Sequence, residues 1–257
     1  MITSSNNQQI KEVQLLLEKS KYRRETGLFV AEGIKMFLEA PLPLVHKIYA
    51  SEEFMEKSIH AAKAVKLPHE IVSASVFKKM SATSAPQGIL MVMKQPSCSA
   101  KSLIEKVSKG GRLLVLNKVQ DPGNLGTMLR TAEAAGMDGV IMDRGCVDVF
   151  NPKVIRSTMG SVYRVPFVVC DELLLVIEEM KKQGIKTVAA HLKGDSIYDN
   201  IDYTKAAAVL IGNEGNGLEE AVSEQADIRI KIPMEGKVES LNAAISAALL
   251  MYEMKRK

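Results

Sequence analysis

The chain has 257 residues, 46% of them hydrophobic, and 34 basic against 30 acidic residues give a net charge of +4. This length suits one large domain or two small ones, and no apolar run approaches the roughly 18 residues of a membrane span. Residues 1–9 are polar, without an apolar signal-peptide core, and Cys98, Cys146 and Cys170 lack metal-ligand spacing. These features argue against membrane, secreted and metal-binding proteins and favour a reduced, cytoplasmic setting.

The basic excess is unevenly distributed. Residues 1–95 carry 13 Lys or Arg against 9 Glu, whereas residues 96–257 carry 21 residues of each sign. Basic charge in the first third would attract a polyanion such as RNA. The excess is mild, however, and a solvated basic surface without a partner explains it equally well.

The first third is predicted to form a compact α/β unit. Apolar residues in 10–17 recur at helical spacing, and a polar basic turn is predicted at 19–24. Short strands and helices then alternate as far as residue 95. The predicted strands are 28–30, 45–50, 70–73 and 88–93, with helices at 33–38 and after Ser51.

After a polar stretch at 95–100 and a helix at 101–108, the pattern changes. Residues 113–116 are a continuous apolar run, typical of a strand buried on both faces. Further apolar runs predict strands at 140–142, 165–169, 187–190 and 208–211. Predicted helices separate them, at 125–135, 152–159, 172–183 and 218–224. This alternation predicts a parallel sheet with helices on both faces. We therefore predict an α/β protein with a first domain at 1–95, a linker and leading helix at 96–111, and a parallel-sheet domain at 112–257.

Three polar segments of this second domain each follow a predicted strand, where open parallel sheets usually bind ligands. The first segment, 117–132, contains Pro122-Gly123, then Asn124 as a possible helix cap and Arg130 about two turns into the helix. A helix N-terminus with an arginine can hold a phosphate. Turn chemistry alone explains the segment equally well.

The second segment, 211–217, places three glycines directly after a buried strand, where glycine would let a ligand approach the backbone. This turn is not the dinucleotide pattern GxGxxG. Because the Glu214 carboxylate would repel a phosphate, the turn better suits a ligand with positive charge or hydroxyl donors. The third segment runs from a short strand at 230–232 to an alanine-rich helix. Ser240 is the expected N-cap of that helix, whereas a capped core helix does not explain Asn242.

Together these segments resemble the three motifs of the SpoU (TrmH-type) RNA 2′-O-ribose methyltransferases of the SPOUT superfamily. The matching stretches are Asn-Leu-Gly-x-x-x-Arg-Thr-Ala at 124–132, Ile-Gly-Asn-Glu-Gly at 211–215 and Ile-Pro-Met…Ser-Leu-Asn at 232–242. The family's middle segment is matched at 151–160 and 164–166, so the likeness runs through 112–257 in order. The first third resembles the family's ribosomal-protein-like substrate-binding extension, most clearly at 21–33.

The resemblance implies a deep trefoil knot in the second domain, with S-adenosyl-L-methionine bound bent within it. It also implies a homodimer through the knotted domain, packed on the alanine-faced C-terminal helix and on Met159-Gly160. A pocket of Ile and Leu with backbone donors suits the flat, apolar faces of adenine. The implied cofactor-binding residues are Gly212, Ile232 and Leu241, with Met234, His191 and Leu192 as further neighbours.

For catalysis, the resemblance implies a central arginine, Arg130. An arginine stays protonated, so phosphate anchoring and stabilisation of the developing alkoxide are favoured over a role as general base. Asn124 and Asn242 would orient the ribose or Arg130, Ser240 would hold the same network, and Glu214 would orient Arg130 or Asn124. The candidate RNA contacts of the first domain are Lys19, Lys21, Arg23 and Arg24.

The expected function is therefore RNA 2′-O-ribose methylation. We favour 23S ribosomal RNA as substrate, because a ribosomal-protein-like extension suits a large structured RNA. Transfer RNA is the alternative with the same chemistry. A non-catalytic RNA-binding protein of this fold is a second alternative, although Arg130 and Asn242 are both retained. A nucleotide-binding oxidoreductase would need a dinucleotide glycine pattern that the chain lacks.

Overall fold

The structure is a computed structural model that describes residues 1–256 and divides into two compact units. The first unit comprises Met1–Pro96 and Phe150–Tyr163, and the second comprises residues 97–149 and 164–256. Segment 150–163 groups with the first unit because its helix packs on the strand at Leu28–Glu32 and its Phe150 ring lies 4.9 Å from the Phe29 ring. Among the helices of residues 1–256, none has the length and apolar character needed to cross a bilayer.

The first unit is built on a four-stranded mixed sheet in the order β1-β4-β2-β3, in which only the β2–β3 pair is parallel. Its strands are β1 (Leu28–Glu32), β2 (Val45–Ser51), β3 (His69–Val72) and β4 (Ile89–Lys94). Its helices are α1 (Gln8–Glu18), α2 (Ser20–Thr26), α3 (Ile34–Glu39), α4 (Glu52–Lys57), α5 (Ala61–Ala64), α6 (Ala74–Met80) and α9 (Pro152–Thr158). The predicted alternation of strands and helices in the first third is confirmed.

The turn predicted at residues 19–24 is wrong, because this segment forms helix α2. Arg23 is the physical reason: its side chain is 2% exposed, and its Nη1 donates to the carbonyl oxygens of Leu16 (2.6 Å) and Leu17 (3.1 Å). These carbonyls belong to the last turn of α1, where intrahelical donors are missing. Arg23 thus donates to carbonyl oxygens that α1 leaves free, and it is the buried residue of α2. Gly27 ends α2 at a φ of 64°.

The second unit contains the predicted parallel sheet, which is confirmed. Seven strands lie in the order β7-β6-β5-β10-β8-β11-β9, and all their pairings are parallel. The strands are β5 (Arg112–Leu116), β6 (Gly139–Asp143), β7 (Phe167–Cys170), β8 (Lys186–Ala190), β9 (Ser196–Ile197), β10 (Ala207–Ile211) and β11 (Ile228–Lys231). The helices are α7 (Ala100–Val107), α8 (Pro122–Ala134), α10 (Leu173–Lys182), α11 (Glu220–Gln225) and α12 (Ala243–Arg256).

Every residue of β5, β6 and β10 is buried, as their continuous apolar runs predicted. Helix α7, predicted as a leading helix after the linker, packs Leu103, Ile104 and Val107 into the core of this second unit. The central strands are therefore buried on both faces, and the turns at their carboxyl ends carry the polar segments described next.

The C-terminal helix returns to the middle of the sheet. Helix α12 follows β11, which lies near one edge, but packs on α8 and beside β5 and β10. Arg112 of β5, which is 6% exposed, donates from Nε to the Met254 carbonyl (3.1 Å) and from Nη2 to the Tyr203 carbonyl. Its Nη1 donates to Gly110 and Gly111 carbonyls at 2.8 and 2.9 Å. One buried side chain thus ties the last turn of α12 to the central strand.

Candidate active site

The Glu214 carboxylate lies in the turn after β10 and binds the residues at the start of α8. It accepts hydrogen bonds from the backbone N–H of Gln120 (3.1 Å), the backbone N–H of Asp121 (3.0 Å) and Nδ2 of Asn124 (3.0 Å). Burial acts to raise the pKa of Glu214, but the hydrogen bonds from Asn124, Gln120, Asp121 and the Glu214 backbone outweigh it, and the pKa is lowered. Glu214 is therefore an ionised acceptor that holds Asn124 in place.

Asn124 in turn meets the third motif. Its Oδ1 accepts from Nδ2 of Asn242 at 3.0 Å, and Oδ1 of Asn242 accepts from the N–H groups of Ala244 (2.8 Å) and Ile245 (3.3 Å) at the start of α12. A hydrogen-bonded chain, Glu214–Asn124–Asn242, thus joins the three segments that the sequence singled out. Residues 90 and 118 positions apart come into direct contact.

Two predicted helix caps are wrong. Helix α8 begins at Pro122, and Asp121 caps it by accepting from the Asn124 N–H at 2.8 Å, so Asn124 lies inside the first turn. Proline at the first helical position after an aspartate was an available signal. Helix α12 is capped by Asn242, whereas Ser240 is exposed and makes no hydrogen bond in the chain that the structure describes. Ser240 therefore does not join the network.

Arg130 also lies outside this network. It sits in the middle of α8 with an exposed side chain, which forms no hydrogen bond or ion pair within residues 1–256. A guanidinium carries five N–H donors in a fixed planar arrangement. These donors are not used by the described chain and are available to a ligand.

A second polar cluster beside the first was missed by sequence reasoning. Asn117, at the end of β5, is 1% exposed; its Nδ2 donates to Oδ2 of Asp143 (2.6 Å) and Oε2 of Glu219 (2.9 Å), and its Oδ1 accepts from the Glu219 N–H (2.9 Å). Lys118 pairs with Glu219 and has a φ of 56°. The available signal was a polar residue ending each of two buried strands, β5 and β6.

The glycines of the second motif shape the turn itself. A Cβ added to Gly212 would lie 2.1 Å from the Gly217 carbonyl carbon and from the Leu218 nitrogen. Asn213 and Gly217 exchange backbone hydrogen bonds of 2.9 Å, which closes the turn. Gly212 is thus required by a close approach within the chain, where the sequence had suggested an approach by a ligand.

The segment between β11 and α12 holds most of the predicted cofactor residues. Ile232, Met234 and Leu241 are half-buried, and residues 233–241 make no hydrogen bond within the described part of the chain. His191 is adjacent, since its N–H donates to the Ile230 carbonyl at 2.8 Å, and Leu192 is 66% exposed. Half-buried apolar side chains beside unused backbone donors fit an adenine ring and its polar edge.

The four basic residues predicted as RNA contacts have different surroundings. Lys19, Lys21 and Arg24 are exposed on the first unit, and Lys21 lies 3.8 Å from Glu25 in an exposed ion pair. Arg23 is buried against the end of α1, as described above. The prediction for Arg23 is therefore wrong, because its guanidinium is committed to backbone carbonyls.

Comparison with known proteins agrees with this arrangement. Residues 111–252 match the SpoU rRNA Methylase family, and residues 7–91 match the MRM3-like substrate binding domain. The chain belongs to the SpoU rRNA methylase family. The resemblance in the sequence is thereby confirmed.

The likeness to individual proteins extends over both units of the chain. The chain is 34% identical to the 23S rRNA (guanosine(2553)-2′-O)-methyltransferase RlmP of Bacillus subtilis, over 99% of this chain and 98% of that protein. An AdoMet-bound rRNA methyltransferase from Sinorhizobium meliloti superposes with a TM-score of 0.83 at 30% identity, covering 99% and 97% of the two chains. The AdoMet complex of AviRb from Streptomyces viridochromogenes, also at 0.83, is 25% identical and covers 97% and 98%.

Proposed function

We propose that this protein transfers a methyl group from S-adenosyl-L-methionine to a ribose 2′-hydroxyl of 23S ribosomal RNA. The observation that carries the proposal is the Glu214–Asn124–Asn242 chain, which assembles three distant motifs at one end of a parallel sheet. Likeness over nearly the whole chain to a 23S rRNA methyltransferase supports the choice of substrate. We infer a cytoplasmic location, because the protein would encounter ribosomal RNA there.

Bound S-adenosyl-L-methionine would supply a methyl group activated by its positive sulfonium. The 2′-hydroxyl would lose its proton to water as its oxygen accepts the methyl group, and the neutral thioether S-adenosyl-L-homocysteine would be released. Arg130, with its donors unused within the described chain, would anchor a phosphate of the target nucleotide and stabilise the developing alkoxide. We assign the proton to water and not to Glu214, because the Glu214 carboxylate already accepts four hydrogen bonds, from Gln120, Asp121, Asn124 and Asn213.

Asn124 and Asn242 would orient the ribose. The Asn124 amide donates one N–H to Glu214, and the Asn242 amide donates one N–H to Asn124. Each keeps a second N–H for a ligand oxygen. Both amide oxygens are also occupied, so neither side chain needs to reorganise when the RNA binds. Glu214 would act as a positioning residue, because it holds Asn124 and the turn before α8.

The cofactor would lie against residues 232–241, with Ile232, Met234 and Leu241 on the adenine faces. Gly212 would contribute backbone groups, and His191 and Leu192 would border the site. The trefoil knot is part of this proposal. The return of α12 from the β11 edge to the central strands is the kind of chain path that a knot requires.

The proposal is tested by incubating the protein with labelled S-adenosyl-L-methionine and purified ribosomal or transfer RNA from cells that lack it. We expect label in 23S RNA at one 2′-O-methylated nucleotide, mapped by resistance to alkaline cleavage. Label in transfer RNA alone would favour the alternative substrate. Binding of RNA with no transfer to either RNA would favour the non-catalytic protein.

We propose that the first unit binds the RNA through its exposed basic residues. Replacing Lys19, Lys21 and Arg24 together with alanine is expected to weaken RNA binding at least about tenfold at low salt and to reduce the salt slope of log K by about 3. Filter binding at several salt concentrations measures both quantities. The matched control replaces Lys101, Lys109 and Lys182, three exposed lysines of the second unit. Equal effects of both triple variants would contradict a specific surface.

We also propose that the protein is a homodimer through its second unit. The outer face of α12 exposes Ile245 (51%), Leu249 (39%) and Tyr252 (54%), beside a groove of about 510 Å³ lined in part by Tyr198. An exposed apolar stripe of this kind is typical of an interface.

Replacing Leu249 and Tyr252 with glutamate is expected to raise the dimer dissociation constant by about 30-fold or more, because aromatic and apolar anchors dominate interfaces. Sedimentation at several protein concentrations measures this change. The control is Leu175→Glu, at another exposed apolar residue of the second unit (62%), which is expected to leave the dimer intact. A wild-type protein that sediments as a monomer at micromolar concentration would contradict the proposal.

A further inference from the structure

The turn between β5 and α8, residues 117–121, is held from three sides. The Lys118 N–H donates to Oδ1 of Asp143 (3.1 Å), and the Lys118 carbonyl accepts from Nδ2 of Asn213 (2.9 Å). Two residues later, the turn presents its Gln120 and Asp121 N–H groups to Glu214. The direction of these two N–H groups therefore depends on the conformation at Lys118.

That conformation is a costly one. Lys118 is one of only two non-glycine residues with positive φ within residues 1–256, and this region disfavours residues with a Cβ. Such a conformation persists where surrounding contacts impose it. The contacts here converge on Asn117, whose buried amide binds Asp143 from β6 and Glu219 from the start of α11 at the same time.

We propose that Asn117 is a positioning residue for methyl transfer: its side chain locks the 117–121 turn, which aims the Gln120 and Asp121 amides at Glu214 and thereby fixes Asn124. The role in methyl transfer rests on the proposed function, whereas the hydrogen bonds around Asn117 do not depend on it. The chain of contact runs from Asn117 through Lys118 and the turn to Glu214, then to Asn124 and Asn242. Asn117 itself would touch neither RNA nor cofactor.

Only an amide satisfies this position. Asn117 uses its Nδ2 as donor to two carboxylates and its Oδ1 as acceptor of a backbone N–H. An aspartate of the same size has two acceptors and no donor when ionised. It would place a third carboxylate between Asp143 and Glu219, and the like charges would force the cluster apart.

The titratable groups around this position are known. Asp143 and Glu219 face the amide directly, Lys118 pairs with Glu219, and Cys146 and Cys170 are the further groups that interact with Asp143. In the variant Asn117→Asp, the two neighbouring carboxylates would raise the pKa of the introduced acid. Its protonated form can donate to one carboxylate and accept from the Glu219 N–H, so low pH should restore much of the native geometry.

The experiment compares wild type, N117D and the control N200D in single-turnover methylation at saturating RNA and cofactor between pH 6 and 8.5. Asn200 is an exposed asparagine of the second unit. We expect N117D to be about 10²-fold slower than wild type at pH 8.5, the scale of a small misplacement of reacting groups. The deficit should shrink to about tenfold or less at pH 6, with the RNA KM and the cofactor Kd unchanged within about threefold.

Two further measurements separate positioning from folding. Hydrogen exchange of the 118–121 amides should be faster in N117D than in wild type at the same pH, while the β5 and β10 amides stay protected. Adding E219Q to N117D exchanges the amide and the carboxylate, and it should recover at least about tenfold in rate at pH 8.5.

A deficit that is equal at every pH, is confined to KM, or leaves exchange of 118–121 unchanged would overturn the proposal. So would a variant N117D as fast as wild type. If wild type itself transfers no methyl group, the proposed function fails instead, and the exchange measurement still tests whether Asn117 locks the turn.

Discussion

Replacing Arg130 with alanine is expected to lower the single-turnover methylation rate at saturating RNA and cofactor by about 10²–10³-fold. The physical reason is that a side chain exposed on α8, with no partner within residues 1–256, contributes little to folding, so its five donors are available to the transition state. Thermal unfolding should therefore change little. Rapid-quench measurement of label transfer gives the rate without interference from product release.

The companion variant Arg130→Lys keeps the charge and loses the planar arrangement of donors. We expect it to recover only a small part of the lost rate if Arg130 binds a phosphate bidentately. Arg229→Ala is the matched control, because Arg229 is a partly exposed arginine of the same unit that lies 3.8 Å from Asp195 in an ion pair. A near-normal rate for Arg130→Ala would exclude a catalytic role for Arg130.

Replacing Arg112 with methionine is expected to lower the free energy of unfolding by roughly 3–5 kcal/mol, because several carbonyl groups lose a charged hydrogen-bond donor worth about 1.5–3 kcal/mol each. Burial lowers the pKa of Arg112, whereas Asp138 and Asp202 act in the opposite direction. The side chain satisfies carbonyls of Gly110, Gly111, Tyr203 and Met254, which a thioether cannot do. Each buried carbonyl that loses its donor adds a desolvation cost.

Urea unfolding monitored by circular dichroism measures this difference. The control, Arg229→Met, removes a partly exposed ion pair and should cost no more than about 1 kcal/mol. Hydrogen exchange should report the loss first in α12, because Arg112 binds the Met254 carbonyl in its last turn. A change below that of the control would mean that water reaches these carbonyls and that Arg112 does not hold α12 to the sheet.

The parallel sheet and the position of the site were predictable from the sequence. Uninterrupted apolar runs such as 113–116 occur where a strand is covered on both faces, and the carboxyl ends of parallel strands meet at one edge. The three motifs could therefore be expected close together. The partners within the site were not predictable, because hydrogen bonds between Asn124 and residues 90 and 118 positions away depend on the chain path.

Local errors had local physical causes. The polar neighbours of Arg23 in the sequence predict a surface cation, yet its guanidinium binds the free carbonyls at the end of α1 and is buried. Ser240 and Asn242 are both good helix-capping residues by type. The choice between them depends on where the segment from β11 arrives, and Asn242 is the residue that meets both α12 and Asn124.

The α/β class, the order of the strands along the chain, the family and the three motifs follow from the amino-acid sequence alone, because apolar periodicity and short motifs are local properties. Which motif residues touch, which caps form and where the Asn117 amide finds its partners became visible only in the folded chain. Those outcomes depend on long-range contacts between strand ends, and a buried amide between two carboxylates has meaning only once β5, β6 and α11 are side by side.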